Sequence, residues 1–409
     1  MVQDEAKAKP LEAADQQLIG RKYLKILERH RNRLRKASAH PNRVLHYDDL
    51  LTLLLMGFFN PVLRSLRTIE DASQGPLFKG ILEVERACRS TLSDANACLD
   101  PALLEPLMLE LRGRLPQLGK TDSKLEELLR QVTILDGSFF SVAADVEWAL
   151  RKRKRGSPKV DDRFARLDLR LCAATGTPQG LEITGKGVGE STVAQKHIEP
   201  GVIYLADRGF FSHNYIRTIH QSQADCLLRI RSNVVFKAEQ ERDLSAEHKA
   251  CGVLSDRLGR LGGCSGNSPP DVQLREVVIF DPRHPDKPVR LLTTLLDIEP
   301  QLLGDLYRHR WQIELFFRWL KVHASFEHVI SHSQNGLTLT FYVAVIGVLL
   351  MYLHMGRKPS KYAYSLLCMV AAGAATLEDI VPILEKREQE RELDRQRLVR
   401  KKAEKTKAQ

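Results

Sequence analysis

Apolar residues recur along this chain at two different periods, and the change of period marks a change of architecture. From Gln17 to Lys36 they fall at helical spacing between many Lys and Arg, as in LIGRKYLKILERHRNRLRK, which predicts a basic helix able to lie along phosphates. Asp48 and Asp49 then precede LLTLLLMGFFN, an apolar run opened by a plausible cap and closed before Pro61. It is too short to cross a bilayer and reads as the core helix of an N-terminal bundle. LRSLRTIEDASQ, ILEVERACRSTLSDANACLD and PALLEPLMLELRGRL repeat the helical period between Gly, Pro and Asp breaks, with Ser90 or Ser93 available as a cap.

After a charged helix around Asp122–Arg130 the period shortens to two. QVTIL reads as a strand that stops at Asp136-Gly137-Ser138. RFARLDLRLCAAT, QGLEIT and VIYLA follow as strands, the last ending at Asp207-Arg208-Gly209. A helix (HNYIRTIHQSQA) then leads into one more strand, CLLRIRS. Between the first two strands, RKRKRGSPK (151–159) is a cationic loop suited to guiding phosphates. GKGVGE (185–190) superficially resembles a dinucleotide loop but lacks the G-x-G-x-x-G pattern and a framing βαβ unit. From 232 to 300 the chain turns polar and Gly-rich and carries one further strand pair, LREVVIFDP and PVRLLTTLLD. LTLTFYVAVIGVLLMYLHMG (337–356) is the most hydrophobic segment and is read as a buried helix covering the sheet, not a membrane span. A charged tail closes the chain as a solvated helix or disordered segment.

The reading is thus α/β, preceded by an all-α region. Its parts are 1–125 (helical, DNA-binding), 126–231 (first part of the core), 232–300 (β-rich insertion), 301–358 (second part of the core) and 359–409 (C-terminal helical region and charged tail).

One stretch, DLYRHRWQIELFFRWLKVH (305–323), organises the rest. On a single helix, Tyr307, Arg310, Glu314, Arg318 and Lys321 would share an arc of roughly 80°, beside an apolar stripe of Leu306, Ile313, Phe317 and Leu320. One carboxylate therefore sits in a cationic row. Asp136 and Asp207 each close a predicted strand before a Gly, and with one crossover between them those strands become neighbours. Asp136, Asp207 and Glu314 then form a trio of oxygen donors of the kind that holds magnesium, or manganese in its place. Two such ions would activate a water or a terminal hydroxyl and stabilise the leaving oxygen in an in-line displacement at phosphorus. Tyr307, Arg310 and Lys321 would grip the strand being cut.

Charge fits such a substrate. Lys and Arg number 62 against 51 Asp and Glu, a net +11 that favours a polyanion. Seven scattered cysteines form no CxxC pair, and His323, His328 and His332 lack a metal-site spacing, which argues against structural zinc and for reduced thiols. The N-terminus lacks the apolar core of an export signal, so a cytoplasmic protein is expected.

Tyr307, Arg310, Glu314 and Lys321 form Y-x2-R-x3-E-x6-K, which resembles the signature of the insertion-sequence-four family of DDE transposases; ILDGS and YLADRGF resemble its two Asp motifs. The likeness runs from about residue 130 to 355. It implies a ribonuclease-H-like core with Asp136, Asp207 and Glu314 as catalytic, metal-binding triad, and Tyr307, Arg310, Lys321, Arg318 and Arg208 on the DNA. It also implies cutting of double-stranded DNA at transposon ends, joining of the 3′-hydroxyls to target DNA, and action as a homodimer. In some members excision passes through a DNA hairpin, with a flipped base stacked on a Trp of the insertion. Here Trp148, Trp311 and Trp319 all lie outside 232–300, leaving Phe236 or Phe280 for that place. The alternative is a catalytically silent DNA-binding regulator of the same fold, which would have no need of all three carboxylates.

Overall fold

The computed structural model describes residues 20–40, 42–60, 62–63, 65–75, 82, 84–115, 124–143, 146–153, 161–263, 270–282, 284–323, 331, 333–355 and 361–407. They divide into two compact units, one of residues 1–115, 323–330 and 343–409, the other of residues 116–322 and 331–342.

The first unit is helical. Its N-terminal part contains α1 (Gly20–Ala37), α2 (Tyr47–Phe59), α3 (Leu66–Ser73), α4 (Arg89–Cys98) and, after a 3₁₀ turn, α5 (Glu105–Gly113). Leu50, Leu51, Leu53 and Leu54 of α2 are buried, each worth about 2 kcal/mol relative to exposure. Asp48 and Asp49 lie inside the first turn of α2 rather than capping it; His46 is the N-cap. Both carboxylates are buried, and Arg35 of α1 donates to each at 3.0 Å. A charge buried without its partner would cost several kcal/mol, so this pairing fixes how α1 lies on α2. Part of the basic character of α1 is therefore internal, while Arg33 and Lys36 stay exposed. Ser90 and Ser93 likewise fall within α4, whose N-cap is Cys88.

The second unit is a mixed α/β structure. After α6 (Lys124–Gln131) come β1 (Val132–Val142), β2 (Leu150–Arg153), β3 (Asp161–Cys172), β4 (Pro178–Thr184), α7 (Glu190–Gln195), β5 (Ile203–Ala206), α8 (His213–Gln221) and β6 (Asp225–Arg229). Then follow β7 (Phe236–Glu241), α9 (Ala246–Ala250), β8 (Val253–Leu261), β9 (Leu274–Ile279), β10 (Val289–Thr293), α10 (Pro300–Arg308) and α11 (Trp311–His323). All ten strands form one sheet in the order β2-β3-β1-β5-β6-β10-β9-β8-β7, with β4 paired to β3. The strand ending before Asp207 is a parallel neighbour of β1, the adjacency expected from one crossover.

The order corrects several local expectations. Part of the cationic run becomes β2, and the rest, 154–159, lies outside the described residues. Two stretches between 232 and 262, polar or glycine-rich in sequence, are the strands β7 and β8. Their partners explain this: β7 to β10 continue the core sheet edge to edge, so backbone pairing holds strands whose side chains are mostly exposed, as on β7. Buried ion pairs lock this register. Arg275, 1% exposed, donates to Asp256 at 2.7 and 2.6 Å, and Glu276, 0% exposed, accepts from Arg257 and Arg290. A slip of one residue would separate every pair.

The most hydrophobic segment forms α12 (Gln334–Met355), followed by α13 (Lys361–Ala371) and α14 (Leu377–Lys407), which includes the charged tail. Residues Gln334–Leu353 are long and apolar enough to cross a membrane, yet 83% of the most apolar window is buried inside the protein.

Candidate active site

β1 and β5 run parallel with Leu135 opposite Ala206, and the next residue on each is an aspartate. Asp136 and Asp207 therefore stand side by side at one level of the sheet. Only β5 ends there. β1 continues to Val142 because β3 pairs with it from Thr133 through Val142, so Asp136 lies inside a strand, opposite Leu169, and not at its end.

The helix carrying Glu314 also differs from the sequence reading. Residues 305–323 are not one helix: α10 ends at Arg308 and α11 begins at Trp311. Across the junction the backbone bonds run three residues back, His309 to Leu306, Arg310 to Tyr307 and Gln312 to His309, which tightens the chain into a turn. Gln312 secures it, its Nε2 lying 2.7 Å from His309 Nδ1 and donating to the Ala173 carbonyl after β3 at 3.2 Å. The predicted apolar stripe is nonetheless buried at Leu306, Ile313, Phe317 and Leu320.

This turn aims three side chains at the sheet. The Tyr307 hydroxyl donates to Asp207 Oδ1 at 3.2 Å. Arg310 holds Glu314 through Nη2, and its Nη1 lies 3.9 Å from Asp136 Oδ2. Arg310 thus spans two of the three carboxylates while Tyr307 engages the third. Among the described residues, no three His, Cys, Asp or Glu side chains converge closely enough to cage an ion. The donors nevertheless suit a hard divalent cation in kind, being carboxylate oxygens only.

Burial pushes the Asp136 carboxyl up to about 7, opposed by the Gly137 N–H and Arg310 and reinforced by the charges of Glu190 and Glu314. Burial also raises the Tyr307 phenol, with Asp207 adding to it, so Tyr307 is a neutral donor. Burial lowers the Arg310 guanidinium, but Glu314, Tyr307 and Asp207 together outweigh it, and its net shift is upward. A carboxyl protonated in the folded state up to about pH 7, yet ionised in the unfolded chain from about pH 4, lets the native state bind more protons in between. Its contribution to stability is therefore lost as pH rises from about 4 through about 7. The melting temperature of Asp136→Asn relative to wild type should accordingly climb across that window; a pH-independent difference would contradict the raised value.

Of the other residues singled out in the sequence, Arg208 and Arg318 are exposed, and Lys321 places Nζ 5.0 Å from the ring centre of Phe140. The side chains of His323, His328 and His332 lie outside the described residues. Beside the carboxylates opens a cleft of about 500 Å³, lined among others by Arg229, Phe280, Tyr307, Arg308, Arg310 and Trp311. Phe280 and Trp311 are 40% and 44% exposed, whereas Phe236 packs against the buried cluster around Tyr215 and Ile216.

The sequence reading missed Glu190. It is the first residue of α7 and the last of the stretch GKGVGE, whose sequence suggests only a comparison with a dinucleotide loop. Its neighbours are the glycines that follow the two aspartates: a Cβ on Gly137 would lie 2.7 Å from Glu190 Oε1, and one on Gly209 would lie 2.9 Å from Oε2. The local signal was an acidic residue opening a short helix, which capping alone explains.

The sequence model of the transposase DDE domain matches residues 127–350, more than half of the chain. Among curated relatives, "Putative transposase y4zB" of Sinorhizobium fredii is 28% identical over 176 residues, 42% of this chain and 49% of that protein. "Putative transposase for insertion sequence element IS4SA" of Synechocystis is 25% identical over 297 residues, 69% of this chain and 77% of its own. "Probable transposase for insertion sequence element IS5377" of Geobacillus stearothermophilus is 23% identical over 245 residues, 59% and 62% of the two chains. The match thus spans about half the length of the first of these relatives. The matched region contains β1, β5 and α11 with Asp136, Asp207 and Glu314, and the chain belongs to the transposase DDE domain family.

Proposed function

We propose that the protein is a DNA transposase that cuts at the ends of an insertion sequence and joins the freed 3′-hydroxyls to target DNA. The observation that carries this reading is the linkage of three carboxylates from two adjacent parallel strands and one helix, Arg310 spanning Asp136 and Glu314 while Tyr307 donates to Asp207. Support for a ribonuclease-H-like core comes from the sheet order β4-β3-β1-β5-β6, antiparallel up to β1 and parallel from β1 to β6.

Asp136, Asp207 and Glu314 would hold divalent cations, magnesium or manganese, in a two-ion arrangement. When bound, these supply activation of the attacking water or hydroxyl and stabilisation of the leaving oxygen. The chain's own groups do the positioning. Tyr307 orients Asp207 through its hydroxyl, and Arg310 neutralises Asp136 and Glu314 until substrate phosphate competes for the guanidinium. Lys321, Arg318 and Arg208 attract the backbone around the cut. The adjoining cleft, with two exposed aromatic rings among arginines, is suited to an unstacked nucleotide, with Phe280 and Trp311 in the stacking role. α1, with Arg33 and Lys36 exposed, would contribute to end recognition, and the active species would be a homodimer on double-stranded DNA.

The test is magnesium-dependent nicking of a duplex carrying the inverted repeats that flank the gene. Nicks at the repeat boundary that disappear with EDTA and with scrambled ends are expected. Binding to those ends without cleavage under any divalent cation would instead support a silent regulator.

A further inference from the structure

Glu190 comes against the backbone beside the two aspartates from the face of the sheet opposite the Asp136 side chain. Side chains alternate along a strand, so Asp136 shares a face with Ile134, and Gly137 shares the other with Leu135, which belongs to the core cluster containing Ala194 of α7 and Ile216 of α8. Glu190, opening α7, lies over that second face. Its Oε1 occupies the space a Cβ on Gly137 would need, and its Oε2 that of a Cβ on Gly209. Glycine at these two positions lets one carboxylate come against the backbone beside both aspartates.

The charge it brings there is unfavourable to Asp136: burial raises that carboxyl first, and Glu190 adds to the rise. A helix-opening acid gains about 0.3–1 kcal/mol from the helix dipole wherever it points. That gain does not require two glycines to be kept clear beside two other acids. A small cavity lined by Asp136, Asp168, Glu182, Glu190 and His197 lies behind the site, with room for about one water. Arg166, 5% exposed, borders the Gly137 space with its Cδ 3.0 Å from the Cβ position, and its Nη2 has no hydrogen-bond partner. An ordered water satisfies such a donor, and hard divalent cations keep waters in their shells.

We infer that Glu190 is a fourth carboxylate of the cation site, acting on the same ions as Asp136 and Asp207 from the opposite face of the sheet. The inference rests on the reading of Asp136, Asp207 and Glu314 as that site. It adds a ligand, or a holder of a ligating water, that the Y-x2-R-x3-E-x6-K and strand-end Asp motifs do not contain.

The experiment is Mn²⁺ titration of the full-length protein without DNA, followed by the electron paramagnetic resonance of free Mn²⁺ and by calorimetry. Glu190→Gln should weaken binding by about tenfold or more, or remove one of the bound ions. Gly137→Ala keeps all four carboxylates but displaces Glu190, and should weaken binding in the same way. Melting temperature without metal controls for folding; relief of repulsion should hold it level or raise it for Glu190→Gln. If Asp136→Asn weakens binding while both of these variants titrate like wild type, Glu190 has no such role and the site stands without it. If Asp136→Asn also titrates like wild type, the underlying site assignment fails, and the inference falls with it.

Discussion

The Asp136→Asn protein is expected to bind its DNA ends and leave them uncut, with single-turnover cleavage reduced on the order of 10⁴-fold or more. Asp207→Asn and Glu314→Gln should do the same. Each change preserves shape but replaces an anionic oxygen by an amide group, and ligands that hold ions jointly fail together rather than additively. The reason to expect so large an effect at Asp136 is geometric. It sits within β1, where β3 pairs with it on one side and β5 pairs up to the preceding residue, Leu135, on the other, and its Oδ1 accepts the Gly137 N–H at 2.9 Å. A group fixed this firmly by backbone pairing cannot be replaced by a neighbour moving in. Gel-shift affinity for the ends, compared with cleavage of the same duplex, separates the two functions. Near-normal cleavage by any one of the three variants would remove that residue from the site.

Arg310→Ala should be the next most damaging change, slowing cleavage and strand transfer by about 10²-fold through lost positioning. Arg310 is only 12% exposed and reaches Glu314 and Asp136 at once. Arg310→Lys should also be harmful, since a point charge on a flexible stem cannot span two carboxylates as a planar guanidinium does. Removing the bridge also leaves two half-buried acids facing each other, so the variant should melt lower in EDTA and recover more on adding Mg²⁺ than wild type does. Lys321→Ala should show a milder rate loss, because its ammonium, held over the Phe140 ring, is a single point charge and not a fork that spans two carboxylates. Rates per folded molecule decide the matter: a lower melting temperature with an unchanged rate would reduce Arg310 to an ion-pair partner.

What the sequence by itself determined is the set of features that depend on neighbours in the chain. Short apolar runs ending in Asp-Gly or Asp-Arg-Gly, and an apolar stripe beside Glu314, are local patterns. They were enough to pick out Asp136, Asp207 and Glu314 and to expect β1 and β5 side by side. The tertiary structure decided everything that depends on partners far along the chain. β1 runs past Asp136 because β3 pairs with it there, and β7 and β8 exist as strands because the sheet extends to receive them. The break at His309 and Arg310 carries no Gly or Pro to announce it, and Gln312 ties it to a carbonyl 139 residues away. Glu190 was illegible for the same reason. Its significance lies in lying over Gly137 and Gly209, and such proximity is created by the crossover between two parallel strands, which no local periodicity encodes.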